Sequence, residues 1–448
     1  MQNLLTEKSI EKNIEKPTKP LTVSEIEQFY IQGMNSNNKI GLEYERVALD
    51  KKTLLSADYT KNAKIIEHFS SISGWELIYD NDTIIGASDN QGTTISLEPG
   101  MQLEISLAPK QDILEIDIEL TKIIELLDKI AAIYDVMFIG YGITPKSKTD
   151  EILLLNKRRY KIMNEYLPYC NNADLCTKMM RKTAGIQINI DYKNKKDAYN
   201  KLKFFNLIMP FISGLCANSP IEDDKLGEYK TQRSRIWRHT GSDRCNLFYR
   251  NIFSKKFFKY KNVFKNYIEA ILDVPMVFIE REGEYIPLKG KITFRDFMKS
   301  GYKGYSARYE DYITHQSLCF PDVRLKNYIE IRNHDSNTPS FALSLCALYK
   351  GLCAYKTDDL LKEFEFLNFE DIEKYYINSS RYGLDFKVNS LEGWNIAKKI
   401  FALSKKHLNS KERSYLEPLL NILKKQKTTA DILIDNNIET ALDLAMFI

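Results

Sequence analysis

The sequence predicts an α+β fold in which an antiparallel sheet carries a functional site on one face and packs helices on the other. Four short segments alternate polar and apolar residues, as half-buried strands do, and a long amphipathic helix lies between the second and the third segment. Beyond residue 339 the pattern is helical to the C-terminus. No repeat or Gly/Pro-rich break divides residues 21–448, so we predict one domain there, preceded by a disordered tail at 1–20.

The four strand-like segments place carboxylates and amides at alternate positions. They are 41–49 (GLEYERVAL), 98–106 (EPGMQLEIS), 185–192 (GIQINIDY) and 328–335 (YIEIRNHD). Because strand side chains alternate between faces, four polar pairs should share faces: Glu43 and Glu45, Gln102 and Glu104, Gln187 and Asn189, Glu330 and Arg332. One such pair usually marks only a solvated strand. Its recurrence in four distant segments, each with an apolar opposite face, favours a divalent-metal and phosphate site.

The other elements follow from hydrophobic period and from capping or turn residues. Thr22 and Glu25 form a capping-box pattern at the start of a helix over 23–35. Apolar residues recur with helical spacing over 113–136. The remaining predictions are a strand at 137–143, a helix at 195–216, a hairpin of 275–281 with 285–288, and a strand at 322–332.

Composition argues against two classes of partner. The chain has 448 residues, and its 64 basic and 60 acidic side chains leave a net charge of only +4. We therefore expect no nucleic-acid and no membrane partner. The basic aromatic run 255–267 (KKFFKYKNVFKNY) is more typical of a solvated or amphipathic helix than of a base-stacking surface. The most apolar stretch, 204–217, contains Asn206 and Pro210 and is predicted to be a buried helix.

Several kinds of site and compartment are disfavoured by missing motifs. Seven cysteines without a C-x-x-C pair indicate reduced thiols in the cytoplasm and no zinc site, and the acidic N-terminus does not resemble a transit peptide. The five histidines lack H-E-x-x-H spacing. An ATP site would be neither a P-loop nor a Rossmann site, because both glycine motifs are absent. Glu and Gln ligands would suit Mg²⁺ or Mn²⁺.

Collinear motifs over about residues 25–435 resemble glutamate–cysteine ligase of the plant and proteobacterial type, which has a glutamine synthetase/guanido kinase-like catalytic fold. The motifs are GLEYE, SLEPGMQLEISLAP, RRYKIMNEYLP, MMRKTAGIQINIDY, ANSPI, RSRIW, DVPMVF, FRDFM, FPDVRLKNYIEIRNHD and YLEPLLNIL. Their common order along the chain makes the resemblance far more specific than any single motif.

The resemblance implies an ATP-dependent ligase and assigns roles to particular residues. ATP would phosphorylate the γ-carboxylate of glutamate, and the amine of cysteine would displace the phosphate, which is the first step of glutathione biosynthesis. The implied ligands of Mg²⁺ or Mn²⁺ are Glu43, Glu45, Glu104 and Glu330, with Gln187 as an amide ligand and Glu98 as a further candidate. Arg332 beside Glu330 would act on the transferring phosphoryl group. The implied substrate-binding residues are Arg233, Arg235, Trp237, Gln102 and Asn189. Arg233 and Arg235 alternate in RSRIW, so we expect both to face the same way, as a clamp for substrate carboxylates.

Departures from the family pattern lie in the loops and leave the acceptor open. Arg158 replaces a glycine, ARYEDY occupies 307–312, and NTPSFA follows the aspartate at 335. Three hypotheses follow: cysteine as acceptor, another amine or amino acid as acceptor, or an inactive regulatory or binding homologue. The retained metal ligands argue against the third. We expect small-molecule substrates and a monomer or homodimer.

Overall fold

The computed structural model describes residues 20–241, 244–245 and 260–447. The predicted tail, apart from Pro20, and residues 255–259 of the basic aromatic run lie outside the described residues. Nine strands form one sheet in the order β12-β13-β7-β1-β5-β4-β3-β2, and β6 pairs with the far end of β1. Its strands are β1 Ile40–Asp50, β2 Glu76–Asp80, β3 Thr83–Ser88, β4 Thr94–Leu97, β5 Leu103–Ser106, β6 Val136–Ile139, β7 Gly185–Ile190, β12 Val323–Leu325 and β13 Ile329–Asp335.

Three small hairpins and a set of helices complete the described fold. The hairpins are β8 Ile221–Glu222 with β9 Lys225–Leu226, β10 Phe278–Arg281 with β11 Glu284–Pro287, and β14 Lys387–Val388 with β15 Leu391–Glu392. The helices are α1 Val23–Gln32, α2 Tyr59–Ser73, α3 Ile113–Ile133, α4 Arg158–Tyr166, α5 Ala173–Lys182, α6 Lys195–Leu215, α7 Gln232–Arg238, α8 Val263–Leu272, α9 Phe294–Ser300, α10 Tyr309–Ser317, α11 Pro339–Cys353, α12 Thr357–Glu363, α13 Ile372–Tyr382, α14 Gly393–His407, α15 Ser410–Ser414, α16 Glu417–Lys425, α17 Thr429–Asp435 and α18 Ala441–Phe447.

The predicted α+β class with an antiparallel sheet is confirmed. Every strand pair of the large sheet is antiparallel. The apolar parity of the central strands is fully buried, including Leu42 and Tyr44 of β1 and Ile188 of β7. Helix α11 packs across β1 and β7, and α6 packs against β13. The other face of these strands is therefore left for polar side chains. The extent of a single domain over 21–448 stays a prediction.

Several individual elements agree with their sequence patterns. The predicted capping box of α1 is present, with the Thr22 N–H donating to Glu25 at 2.8 Å. Helix α6 contains Pro210 and is buried along its second half, as predicted for 204–217. No described helix is both long enough and apolar enough to cross a membrane. The predicted hairpin is β10–β11, whose two turn residues, Glu282 and Gly283, both have positive φ.

Other predictions need correction. The strand predicted at 137–143 spans only Val136–Ile139. The backbone at the next residue, Gly140, passes so close to Asn337 that a Cβ there would lie 1.9 Å from the Asn337 carbonyl oxygen. The strand predicted at 322–332 is wrong: the chain forms a hairpin of β12 and β13. Only the second half of segment 98–106 is a strand, since Met101 adopts a φ of 68° in a turn. The helical C-terminal region is interrupted by the small hairpin β14–β15.

Candidate active site

Four carboxylates gather on the polar face of β1 and β5. Glu45 of β1 lies opposite Glu104 of β5, Glu43 is on the same face two residues earlier, and Glu98 lies in the turn before β5. All four are half-buried. Burial and the nearby Glu98 charge raise the pKa of Glu45 to about 7, and burial also raises the pKa of Glu43. The pKa of Glu104 lies well above its usual range because of burial and three neighbouring carboxylates: Glu98, Glu43 and Glu45.

Two amides of β7 bond directly to these carboxylates. Gln187 Nε2 donates to Glu45 Oε1 at 2.7 Å, and Asn189 Nδ2 donates to Glu43 Oε1 at 2.7 Å. The Gly185 N–H also donates to Glu45 Oε2. The shared faces predicted from strand alternation are thus confirmed for β1 and β7. Each amide orients one carboxylate, and the carboxylate oxygens keep lone pairs that can bind another ligand.

Arg332 connects the β13 end of the site to β7. Its Nη1 donates to Gln187 Oε1 at 2.8 Å and to Glu330 Oε2 at 2.8 Å. The side chain of Glu330 is 1% exposed and also accepts from Arg324 Nη2 at 2.9 Å. Burial alone would raise the pKa of Glu330, but Arg324, Arg332 and Lys326 hold it well below its usual range. A continuous chain of contacts therefore runs from Glu330 through Arg332 and Gln187 to Glu45.

Arg233 lies directly behind this chain, in the first turn of α7. It is 3% exposed, and its Nη2 donates to the Arg332 carbonyl oxygen at 3.0 Å. The guanidinium passes over Gly185, where a Cβ would lie 2.4 Å from Nη2. Its Nε and Nη1 are buried and have no hydrogen-bond partner within the described residues. Arg233 is therefore a cation with donors to spare next to Glu45, as the substrate-binding prediction requires.

Buried Asp335 places Arg233, a role that the sequence reasoning missed. Asp335 accepts hydrogen bonds from Thr231 Oγ1 at 2.8 Å and Ser219 Oγ at 2.6 Å. Thr231 is the N-cap of α7, and Ser219 Oγ accepts from the Arg233 N–H at 3.3 Å. The end of β13 thereby fixes where α7 begins. The sequence feature that could have indicated this role is the position of Asp335, three residues after Arg332 on the strand that also carries Glu330.

The prediction that Arg233 and Arg235 face the same way is wrong. RSRIW belongs to helix α7, not to a strand, and residues two apart on a helix are separated by about 200° around its axis. Arg235 accordingly turns away from Arg233. Its guanidinium lies 5.0 Å from the Tyr229 ring centroid and 4.0 Å from Glu222. Arg235 does not line the cavity described next.

A cavity of about 210 Å³ opens beside these groups. Predicted residues on its wall are Glu45, Glu98, Gln102, Trp237 and Arg332. The sequence did not predict the lining residues that α4 and α5 supply with their flanking residues: Lys157, Arg159, Tyr160, Met163, Met179 and Met180. The RRYKIM and MMRK stretches were noted as motifs, but nothing local indicated that they meet. Arg159 Nε and Trp237 Nε1 are buried donors without a partner in the described part of the chain.

Two residues singled out from the sequence, Gln102 as a substrate-binding residue and Arg158 as a departure from the family pattern, have mainly structural contacts. Gln102 accepts from the Gly100 N–H at 2.9 Å and donates to the Thr183 carbonyl at 2.9 Å, so its amide holds the turn beside the cavity. Arg158, which replaces a glycine of the family pattern, pairs with Asp80 at 2.8 Å and donates to the Gly283 carbonyl at 2.6 Å. It joins two hairpins outside the cavity, so this departure does not reach the lining residues.

The carboxylate oxygens of this cluster are the kind of ligand that a hard divalent cation prefers. Among the residues that the structure describes, no three His, Cys, Asp or Glu side chains converge closely enough to hold an ion as they stand. However, the strongest influences that raise the pKa of Glu104, apart from burial, are carboxylates rather than cations. A divalent cation held by oxygen ligands would relieve that repulsion. Glu43, Glu45, Glu104 and Glu98 are the residues that would hold it. The other two predicted ligands are already engaged by protein groups: Glu330 pairs with Arg324 and Arg332, and the Gln187 amide bonds to Arg332 and Glu45.

Comparison with known proteins finds plant enzymes of similar sequence. The chain is 31% identical to the chloroplastic glutamate–cysteine ligase of Brassica juncea over 340 residues, 75% of this chain and 64% of that protein. It is also 31% identical to the Arabidopsis thaliana enzyme over 348 residues, 77% of this chain and 65% of that protein. The match thus spans just under two thirds of these relatives.

A solved structure and a family model complete the comparison. The glutamate–cysteine ligase of Francisella tularensis, crystallised with AMP, superposes with a TM-score of 0.56 at 13% identity, covering 90% of this chain and 85% of that one. At that identity the likeness concerns the fold, and the predicted glutamine synthetase-like fold is confirmed. The model of glutamate–cysteine ligase family 2 matches residues 39–442. The chain belongs to glutamate–cysteine ligase family 2.

Proposed function

We propose that this protein is an ATP-dependent, ADP-forming ligase that makes γ-glutamylcysteine from L-glutamate and L-cysteine, the first step of glutathione biosynthesis. The observation that carries the proposal is the contact chain Glu330–Arg332–Gln187–Glu45 on the face that also bears Glu43 and Glu104. It joins a carboxylate cluster suited to metal and polyphosphate to a fixed guanidinium. The names of the plant relatives and the AMP in the Francisella tularensis structure support the same chemistry.

The carboxylates and Arg332 would divide the work of phosphoryl transfer. The cation, Mg²⁺ or Mn²⁺, would be held by Glu43, Glu45, Glu104 and Glu98. When bound, it would neutralise part of the polyphosphate charge. Arg332 is held in one orientation by Gln187 and Glu330. A guanidinium fixed in this way can stabilise charge on the transferring phosphoryl group without first reorganising. Asn189 keeps Glu43 oriented.

Substrate carboxylates need donors that the protein has not already used. Arg233 offers Nε and Nη1, and Arg159 offers Nε, all buried and without partners among the described residues. The Trp237 ring lies 5.8 Å from the guanidinium carbon of Arg233 and lines the same cavity as Arg159. We propose that Arg233 binds a carboxylate of glutamate. Arg235 has no place in this scheme, because its guanidinium lies beside Tyr229 and Glu222, away from Arg233.

The cavity wall favours an acceptor with a small, apolar or sulfur-containing side chain. Met163, Met179 and Met180 supply a soft, polarisable surface in the cavity that Glu45 and Glu98 also line. Cysteine satisfies this requirement. A charged or strongly polar side chain placed against these three thioethers would lose its solvation there. This observation supports cysteine over the second hypothesis of a different acceptor.

A coupled ADP-release assay tests the proposal. Purified protein with Mg²⁺, ATP and glutamate should release ADP when cysteine is added, less with alanine, and little with lysine. The product should be γ-glutamylcysteine by mass spectrometry. Release with another amine but not cysteine would support the alternative acceptor. Absence of release with every amine, from protein that binds ATP and is folded, would support the inactive homologue.

We also propose a reducing, cytoplasmic setting and small-molecule partners only. All seven cysteines are free thiols, which supports a reducing compartment. Whether the protein is a monomer or a homodimer stays a prediction, and sedimentation of the purified protein would measure it.

A further inference from the structure

A second cavity lies on the opposite side of the sheet from the carboxylates. It has a volume of about 330 Å³ and is formed by the start of β1, the end of β7, and helices α6 and α11. Ile40 of β1 and Ile190 of β7, which are paired in register, lie in its wall. Both belong to the apolar parity of their strands, whereas Glu43 and Asn189 belong to the polar parity. The two cavities share no lining residue.

The inner wall of this cavity is mostly apolar. Ile40 and Ile190 are each 2% exposed, and Cys353 at the end of α11 is half-buried beside Ala354. Burial raises the pKa of the Cys353 thiol to about 11, so this thiol is neutral at physiological pH. A wall of aliphatic carbon and neutral sulfur suits the apolar body of an organic molecule.

Four lysines from separate segments surround the apolar wall. They are Lys39 before β1, Lys193 after β7, Lys201 of α6 and Lys350 of α11. Lys201 is 3% exposed, and its Nζ donates to the Asp191 carbonyl at 2.7 Å and pairs with Asp197 at 3.0 Å. An ammonium has three donors, so one N–H of Lys201 has no partner among the described residues.

The acidic groups near the cavity do not neutralise all four lysines. Asp197 pairs with Lys201, and Glu412 pairs with Lys350. The Asp191 carboxylate, the third anion, accepts from the Lys39 backbone N–H at 3.0 Å and from Asn35 at 3.2 Å. The ammonium groups of Lys39 and Lys193 form no ion pair in the part of the chain that the structure describes. The cavity therefore has an excess of positive charge at its exposed rim.

We propose that this cavity binds a small organic anion that has an apolar body. The apolar part would contact Ile40, Ile190 and Cys353, and the anionic group would lie between Lys39 and Lys193, within reach of the free N–H of Lys201. The combination of a carbon-lined wall and convergent donors is typical of small-molecule sites. The site is separate from the ligase cavity and does not depend on the proposed function.

Fluorescence titration with 8-anilino-1-naphthalenesulfonate, an apolar body with one sulfonate, tests the proposal. Folded wild-type protein should show saturable binding that 1-naphthalenesulfonate displaces and that neutral 1-naphthol or inorganic sulfate does not. The double variant K39Q/K193Q should bind about tenfold more weakly, a loss equivalent to 1.4 kcal/mol. The matched control K405Q/K406Q changes two exposed lysines at the end of α14 and should bind as wild type does.

Thiol labelling locates the bound probe independently. At pH 9, where part of the Cys353 thiol is ionised, the sulfonate should slow iodoacetamide modification of Cys353 in the wild type, measured by mass spectrometry, but not modification of half-buried Cys170, which lies outside this cavity. Displacement by 1-naphthol as effective as that by the sulfonate would overturn the anion assignment. Equal affinity of the two double variants, or unprotected Cys353 at saturation, would overturn the site itself.

Discussion

Replacing Arg332 by lysine keeps the positive charge but removes the planar donor group that bridges Glu330 and Gln187. Arginine donates from Nη1 to both partners at 2.8 Å, whereas the flexible ammonium of lysine cannot hold the same two contacts and a phosphoryl oxygen together. Removal of one fixed donor to transition-state charge typically lowers kcat by about 10² to 10³, or roughly 3–4 kcal/mol. We expect a loss of this size for Arg332→Lys, with a small change in the KM for glutamate.

Arg324→Lys is the matched control for this experiment. Arg324 also donates to Glu330, at 2.9 Å, but it does not line the cavity. Its replacement should lower the unfolding midpoint, because a buried charge contact is lost, while kcat falls much less than in Arg332→Lys. Steady-state ADP release and thermal unfolding of both variants would be measured side by side. Equal losses of kcat, or an Arg332→Lys effect confined to KM, would refute a direct role on the phosphoryl group.

Four further predictions follow from the site geometry. Gly185→Ala puts a Cβ where Arg233 Nη2 lies, so the KM for glutamate should rise at least about tenfold, the effect of a lost charged hydrogen bond. Glu45→Gln should abolish turnover yet raise stability at pH 8 by roughly 3 kcal/mol, because the folded-state pKa of about 7 makes ionisation unfavourable. That gain should shrink as the pH falls through 7 and vanish below the unfolded pKa near 4.5, and a pH-independent difference would contradict it. Mg²⁺ at 100 times its Kd should stabilise the wild type by about 2.7 kcal/mol, and Glu104→Gln should remove most of this shift in thermal denaturation. Arg235→Ala should change kcat/KM less than about fivefold, because its one ion pair, with Glu222 at 4.0 Å, is long and weak, and a larger loss would restore its predicted role in substrate binding.

The local pattern of the chain determined much of the sheet and of its polar face. Strand side chains alternate by a rule that depends only on neighbouring residues, so Glu43 with Glu45 and Gln187 with Asn189 could be placed together before any strand pairing was known. The capping box of α1 and the burial of α6 are local in the same way.

Only the tertiary structure decided which of these groups meet and which do not. The pairing of Glu45 with Glu104 depends on the register of β1 and β5, more than fifty residues apart, and no local rule specifies it. By itself RSRIW fits either a strand or a helix. In the structure it is a helix capped by Thr231, whose hydroxyl donates to Asp335 of β13, and the helix turns Arg235 away from Arg233. The methionine and arginine wall of α4 and α5 joins the carboxylates by long-range packing, because hydrophobic burial is not directional and only the complete fold specifies which surfaces come into contact.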